Sequence, residues 1–109
     1  MADHRTVERR SVRYHAAIAH RISDDATVVQ RARARVEQWL NDGTVAPFYA
    51  RGWQQLLDGS SEELCSFLVE RSERAAAFRQ VSPFAGVLTP RERWHLWALA
   101  DDEDDATAA

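Results

Sequence analysis

The sequence contains no lysine, and all fourteen of its basic side chains are arginines. The single cysteine, Cys65, excludes an internal disulfide framework and is typical of a reducing compartment. Four scattered glycines exclude a glycine-rich phosphate loop. No apolar run approaches the roughly 18 residues of a membrane span, and the charged N-terminus lacks the apolar segment of a signal peptide. These absences predict a cytoplasmic protein that does not enter the membrane.

What is present is enough apolar surface for one core. Of the 109 residues, 45% are hydrophobic, which argues against intrinsic disorder. A chain of this length buries roughly 65% of its unfolded surface on folding. We therefore predict a single helical domain over residues 1–100, to which a basic N-terminal helix is either firmly or loosely attached.

Charge is distributed unevenly along the chain. Residues 1–35 hold eight arginines and four acidic residues, for a net charge of +4. Residues 36–100 carry −2, and the acidic run at 101–105 adds −5. The distribution suggests a basic head and an acidic tail with different neighbours, although a solvated helix face and a frayed terminus explain it equally well. The tail, residues 101–109, is predicted to be disordered.

Helical spacing recurs throughout the chain, and no strand-like alternation competes with it. The first helix is predicted over residues 7–22, with an apolar stripe of Val7, Tyr14, Ile18 and Ile22. A second helix is predicted to start after a cap at Ser23 or Asp24 and to end at Gly43. Its apolar positions follow steps of three and four residues: Val29, Ala32, Val36, Trp39 and Leu40.

Capping signals predict the later helices. Pro47 begins a third helix, which Gly59 ends. Ser60 caps a fourth, and a break is expected near residue 71, with Ser72 capping a separate short helix. Thr89 and Glu92 form a capping box for the last helix. The fold class is therefore all-α, a compact bundle of about five to six short helices.

The side chains that most often perform chemistry have ordinary structural explanations here. His15 and His20 are five residues apart and point to different faces of a helix, so they do not form a metal-ligand pair. Cys65 lies in an apolar helical segment, where it is a small core residue. Since no nucleophile, base and orienting group come together in the sequence, we predict no enzyme activity, no cofactor and no metal site.

The apolar connector at residues 82–88 is the first candidate binding region, because loops are ordinarily polar. One interpretation places its side chains in the core, and the other places them in a rigid apolar patch that binds a partner. A small helical domain with several aromatic residues is also a natural homodimer. The candidate partner-binding residues are Pro83, Phe84, Val87, Leu88, Arg91, Trp94 and Trp97.

Direct nucleic-acid binding is the alternative function. Packing the first two helices side by side would create an arginine surface facing phosphates. The acidic isoelectric point and the absence of a helix-turn-helix pattern argue against it, so a small nucleic-acid-binding regulator is the less favoured hypothesis. The candidate contacts are Arg9, Arg10, Arg13, Arg31, Arg33 and Arg35.

A family resemblance covers roughly residues 27–97. It rests on residues 35–40 (RVEQWL), 47–57 (PFYARGWQQLL) and 72–73 (SE), then on 78–80 (FRQ) and 82–94 (SPFAGVLTPRERW), of which the Ser-Pro-Phe-Ala-Gly segment is the most distinctive. These stretches resemble small bacterial proteins, and C-terminal regions of some helix-turn-helix regulators, that are antitoxin partners of nucleotidyltransferase-like toxins.

The resemblance implies a protein-binding inhibitor that neutralises a cognate toxin. In such pairs the antitoxin occludes the toxin's active site or alters its state, and often represses its own operon. The chain lacks the DNA-reading helix-turn-helix of the regulators, and the matching motifs carry no catalytic residues. A toxin that acts on nucleotides and RNA should present a cationic groove, which the acidic tail at residues 101–105 can occupy by charge complementarity.

Overall fold

The computed structural model describes residues 4–108, with side chains described from residue 5 to residue 99, and within this part every regular element is an α-helix. The six helices, with their bounds, are α1 (His4–Asp24), α2 (Thr27–Asp42), α3 (Pro47–Asp58), α4 (Ser61–Leu68), α5 (Glu73–Arg79) and α6 (Pro90–Ala108). The predicted all-α class is confirmed. The bounds of α6 include the acidic run at 101–105, whose side chains lie outside the described part, so the predicted disorder of that tail stays a prediction.

Most predicted helix ends are confirmed by capping contacts. Gly43 ends α2 in the left-handed conformation, with φ at 71°, and its N–H donates to the carbonyl of Trp39 over 2.9 Å. Ser60 and Ser72 cap α4 and α5, each accepting a backbone N–H three residues on at 3.1 Å. Pro47 is the first residue of α3. These local contacts separate α4 from α5 where the sequence predicted a break.

The start of α2 differs from the prediction. Neither Ser23 nor Asp24 caps the helix, because α1 continues to Asp24. The carboxylate of Asp25 instead accepts hydrogen bonds from the backbone N–H and the hydroxyl of Thr27, at 2.9 and 2.6 Å. These bonds lower the pKa of Asp25. Val28 is the buried valine of this turn, with 3% of its surface exposed, while the predicted Val29 is half-buried and packs against the core.

The predicted stripe of α1 is partly wrong. Ile18 and Ile22 are buried, but Val7 is 52% exposed. Val12 and His15 are buried on this helix instead. The sequence leaves the attachment of this helix open. In the structure α1 packs against α2, α4, α5 and α6.

Trp53 of α3 lies at the centre of the core, fully buried. Phe67, Phe78 and Phe84 surround its indole edge-to-face, with ring centroids 5.9, 5.7 and 5.9 Å away. Such T-shaped pairs add about 0.5–1.5 kcal/mol each beyond the burial of their area. The core is therefore an aromatic cluster assembled from α3, α4, α5 and the connector.

Candidate functional site

The surface between α1 and α6 contains a pocket of about 480 Å³, here called the α1/α6 pocket. The N-terminal half of α1, the end of α5, the connector and the first half of α6 form its walls. A volume of this size suits a small molecule or a few side chains of a partner. Its lining includes Arg10, His15, Arg79, Ser82, Arg93 and Trp97.

His15 joins α1 to the connector at the base of this pocket. Its Nδ1 lies 2.7 Å from the carbonyl oxygen of Ser11, which can only accept, so Nδ1 carries the proton. Its Nε2, 2.8 Å from the hydroxyl of Ser82, therefore accepts. Burial lowers the pKa of His15 to about 4, because the loss of hydration outweighs the hydrogen bond to Ser11, which by itself raises the pKa. The imidazole is thus neutral at physiological pH.

The 2.8 Å between His15 Nε2 and the Ser82 hydroxyl oxygen lies within the range seen between a serine nucleophile and its histidine base. Ser82 also accepts the backbone N–H of Phe84 over 3.1 Å, so its hydroxyl both donates and accepts within the fold. The pair anchors the connector to α1, and the sequence predicted no such pair. Because 67 residues separate the two, no local signal in the sequence could have found it.

Arg79 is a buried cation in the wall of the pocket, with only 3% of its surface exposed. Its Nη1 donates to the carbonyls of Leu68 and Glu70, and its Nη2 pairs with the carboxylate of Glu8 at 2.5 Å. A buried guanidinium needs such compensation, since removing a charge from water is costly. Its sequence context, the end of a seven-residue helix, predicts no special role.

Two tryptophans lie next to each other on α6, and one of them, Trp97, lines the pocket. Trp94 is 67% exposed, and its ring lies edge-to-face with that of Trp97 at 5.7 Å. The guanidinium carbons of Arg10 and Arg93 lie 5.3 and 5.9 Å from the Trp97 ring centroid, within cation–π range. Arg91, Trp94 and Trp97, here called the α6 tryptophan surface, are the predicted partner-binding residues that retain solvent access on this helix.

Of the two interpretations of the connector, the structure supports the one that places its apolar side chains in the core. Pro83, Phe84 and Leu88 are buried, and Val87 is half-buried against the core. The carbonyl of Phe84 also accepts the hydroxyl of Tyr14 at 2.7 Å. The Phe84 ring packs edge-to-face on Trp53 and forms one side of the aromatic cluster. The connector's apolar side chains therefore belong to the core.

The six predicted nucleic-acid contacts do not form one surface. Arg33 donates to Asp58 and to the carbonyl of Leu57, toward α3. Arg35 donates to the carbonyl of Ala85 in the connector, where Arg31 also lies. The α1 arginines lie elsewhere: Arg10 faces α6, Arg9 lies beside Arg71 and Ala76 near α5, and Arg13 is half-buried. The two helices thus direct their arginines to different neighbours.

The positions of His15, His20 and Cys65 agree with the structural roles that the sequence suggested for them. His15 is buried and His20 exposed, on different faces of α1. Cys65 is half-buried, and its thiol donates to the carbonyl of Ala19 over 3.6 Å. Burial raises the pKa of this thiol, which disfavours the reactive thiolate. Among the described residues, no three metal-ligating side chains lie close enough to hold an ion.

Comparison with known proteins adds no relative. No protein-family model, curated protein or solved structure matches the chain. Within the described part of the chain, none of the helices combines the length and the apolar character needed to cross a bilayer.

Proposed function

We propose that this protein acts by binding another protein, as an antitoxin-like inhibitor of a nucleotidyltransferase-like toxin, and that the α6 tryptophan surface is its docking site. The observation that carries the proposal is the exposure of Trp94, 67% of whose surface is open beside Trp97. An exposed tryptophan costs free energy in the isolated protein, whereas tryptophan and arginine are the residues that most often dominate protein–protein binding.

The way α6 is held supports this choice of surface. It packs mainly on α1, so its remaining faces are not covered by the other described helices. The salt bridge between Arg21 and Glu92 and the packing of Leu96 on the core hold the first turns of the helix in place. A rigid aromatic anchor loses little conformational entropy on binding, which favours a tight complex.

The two ends of α6 carry opposite charges and would contribute differently to binding. Arg91 lies on the tryptophan surface, and the sequence places five acidic residues at 101–105. A toxin that handles nucleotides carries a cationic groove, which this acidic segment complements. The aromatic contact supplies most of the affinity, and the acidic segment contributes mainly to the association rate and its salt dependence.

The direct test is co-expression with a neighbouring nucleotidyltransferase-like reading frame, with rescue of growth and copurification as readouts. We expect Trp94→Ala to abolish rescue and to weaken the complex by about tenfold or more. Phe48→Ala is the matched control, because Phe48 is an equally exposed aromatic residue, at 68%, but lies on α3. A complex that tolerates W94A as well as it tolerates F48A would overturn the docking site, and no complex at all would overturn the function.

The electrostatic part has its own test. Deleting residues 101–109 should lower the association rate with the toxin at low salt and flatten its dependence on ionic strength. Because truncation leaves the α6 tryptophan surface in place, a complex should still form. If the truncated and full chains show the same rate and the same salt dependence, the acidic segment has no role in binding.

A further inference from the structure

One face of α6 follows a spacing of alternating three and four residues. Counted from Arg91, the spacing passes through Trp94 and Ala98, which are exposed, and then through helix positions 101 and 105, which are aspartates in the sequence. Because an α-helix has about 3.6 residues per turn, these positions fall on one face. Alternating steps of three and four residues are the pattern by which two helices pack along each other. The spacing of this face therefore suits a second α-helix.

The described helices leave the beginning of this face uncovered. Trp94 is 67% exposed, and its ring contact is with Trp97 on the same helix. Arg91 is exposed and has no ion-pair partner among the described side chains. The isolated chain thus leaves an aromatic ring and a cation in water on one helix face, and a single partner helix can cover both.

A second copy of α6 complements this face when it runs in the antiparallel direction. With a two-fold axis at the level of residue 96, positions at equal distances from that level face each other. Trp94 then lies opposite Ala98 of the second copy, which places a large side chain against a small one. Arg91 lies opposite position 101, an aspartate, which places a cation against an anion. Each contact occurs twice because the interface is symmetric.

The parallel direction brings like charges together. It places Arg91 against Arg91 and the two acidic runs at 101–105 side by side, and such juxtapositions are costly across an interface. The antiparallel direction keeps the acidic runs at opposite ends of the pair. We propose that this protein forms an antiparallel homodimer through α6, in which Trp94 packs on Ala98 and Arg91 pairs with Asp101 of the second copy.

This dimer covers the Trp94 ring that the toxin complex would use, so the two assemblies exclude each other. The dimer is then a form of the protein that must dissociate before the toxin binds. Its formation does not rest on the toxin, because it is measured on the isolated chain. A chain that is monomeric but binds the toxin contradicts the dimer alone, and a dimer that binds no toxin contradicts the proposed function alone.

Sedimentation equilibrium of the full chain over a range of concentrations tests the surface. We expect a reversible equilibrium between monomer and dimer, which Trp94→Ala weakens about tenfold or more. Phe48→Ala is the matched control and should leave the equilibrium unchanged, because Phe48 is equally exposed, at 68%, but lies on α3. A chain that stays monomeric at every concentration, or a dimer that responds equally to W94A and F48A, means that the proposal is wrong.

Exchanging the charges tests the direction of the two helices. Arg91→Asp and Asp101→Arg each place like charges at both symmetric contacts, so each variant alone should dimerise about tenfold more weakly than wild type. The double variant R91D/D101R restores opposite charges and should dimerise like wild type. An equimolar mixture of the two single variants should likewise form heterodimers in preference to either homodimer. A parallel pair predicts no loss in R91D or D101R, because each position then faces its own copy, and that result contradicts the antiparallel dimer.

Discussion

The guanidinium of Arg21 on α1 lies 2.6 Å from the carboxylate of Glu92 on α6, and the same carboxylate completes the cap of α6. Its other oxygen accepts the backbone N–H of Thr89 over 3.0 Å, while the Thr89 hydroxyl accepts the N–H of Glu92 over 3.1 Å. One acidic side chain thus starts the last helix and attaches it to the first, which orients the α6 tryptophan surface.

Glu92→Gln should lower the stability of the fold near neutral pH but not in acid. The hydrogen bond from Thr89 and the contact with Arg21 lower the pKa of Glu92 below its usual 4.5. A lowered carboxyl pKa stabilises the folded state above the unfolded value, and this contribution is lost as the pH falls through the folded value. Thermal unfolding should therefore show wild type more stable than E92Q near neutral pH and the two converging in acid below pH 4.5. A difference that does not change with pH would contradict this role.

Phe84→Ala should unfold or strongly destabilise the protein. Removing a fully buried aromatic ring costs about 3–5 kcal/mol, because the cavity does not collapse completely. Trp94→Ala should change stability by less than about 0.5 kcal/mol, since that ring is exposed. Urea denaturation of the two variants checks this contrast. If F84A were as stable as wild type, Phe84 would not belong to the core.

His15 should make folding stability depend on pH. Its folded pKa of about 4 lies below the ordinary value of 6.5, so the unfolded chain binds a proton that the native chain does not. Stability therefore falls as the pH drops from 6.5 toward 4, by a total on the order of 3 kcal/mol. Urea denaturation across this range should show the loss, and His15→Gln should remove most of it. A wild-type stability that is constant across the range would show that His15 is not held neutral.

Gly52→Ala should destabilise the fold although alanine favours helices. Gly52 lies inside α3, and a methyl group there would overlap the ring of Phe78. Overpacking of this kind costs about 1–3 kcal/mol, more than the roughly 1 kcal/mol that alanine contributes over glycine in a helix. Gln54→Ala, at an exposed position of the same helix, is the control and should be close to neutral. The unfolding midpoints in urea compare the two, and a stabilised G52A would show that the ring moves freely.

The glycines of this protein differ in how well their roles can be predicted from the sequence. Glycines 43 and 59 follow apolar helical runs, and their roles at helix ends could be predicted from that position alone. Gly52 has no such signal, because its neighbour in space, Phe78, is 26 residues away in another helix. The same holds for Arg79, whose burial beside Glu8 depends on how α5 packs against α1.

Local chemistry in the sequence determined the helices of this protein. Side-chain caps at Ser60, Ser72 and Thr89, a proline at the start of α3 and a glycine after α2 each act within four residues, so their effect is present in the sequence itself. The α1/α6 pocket and the destination of the connector were decided only by tertiary packing. Whether Phe84 faces solvent or Trp53, and whether Ser82 meets His15, depends on residues tens of positions apart. The free energy gained by burying the whole aromatic cluster determines both contacts. That free energy depends on residues from several helices, so no short segment of the sequence reveals it.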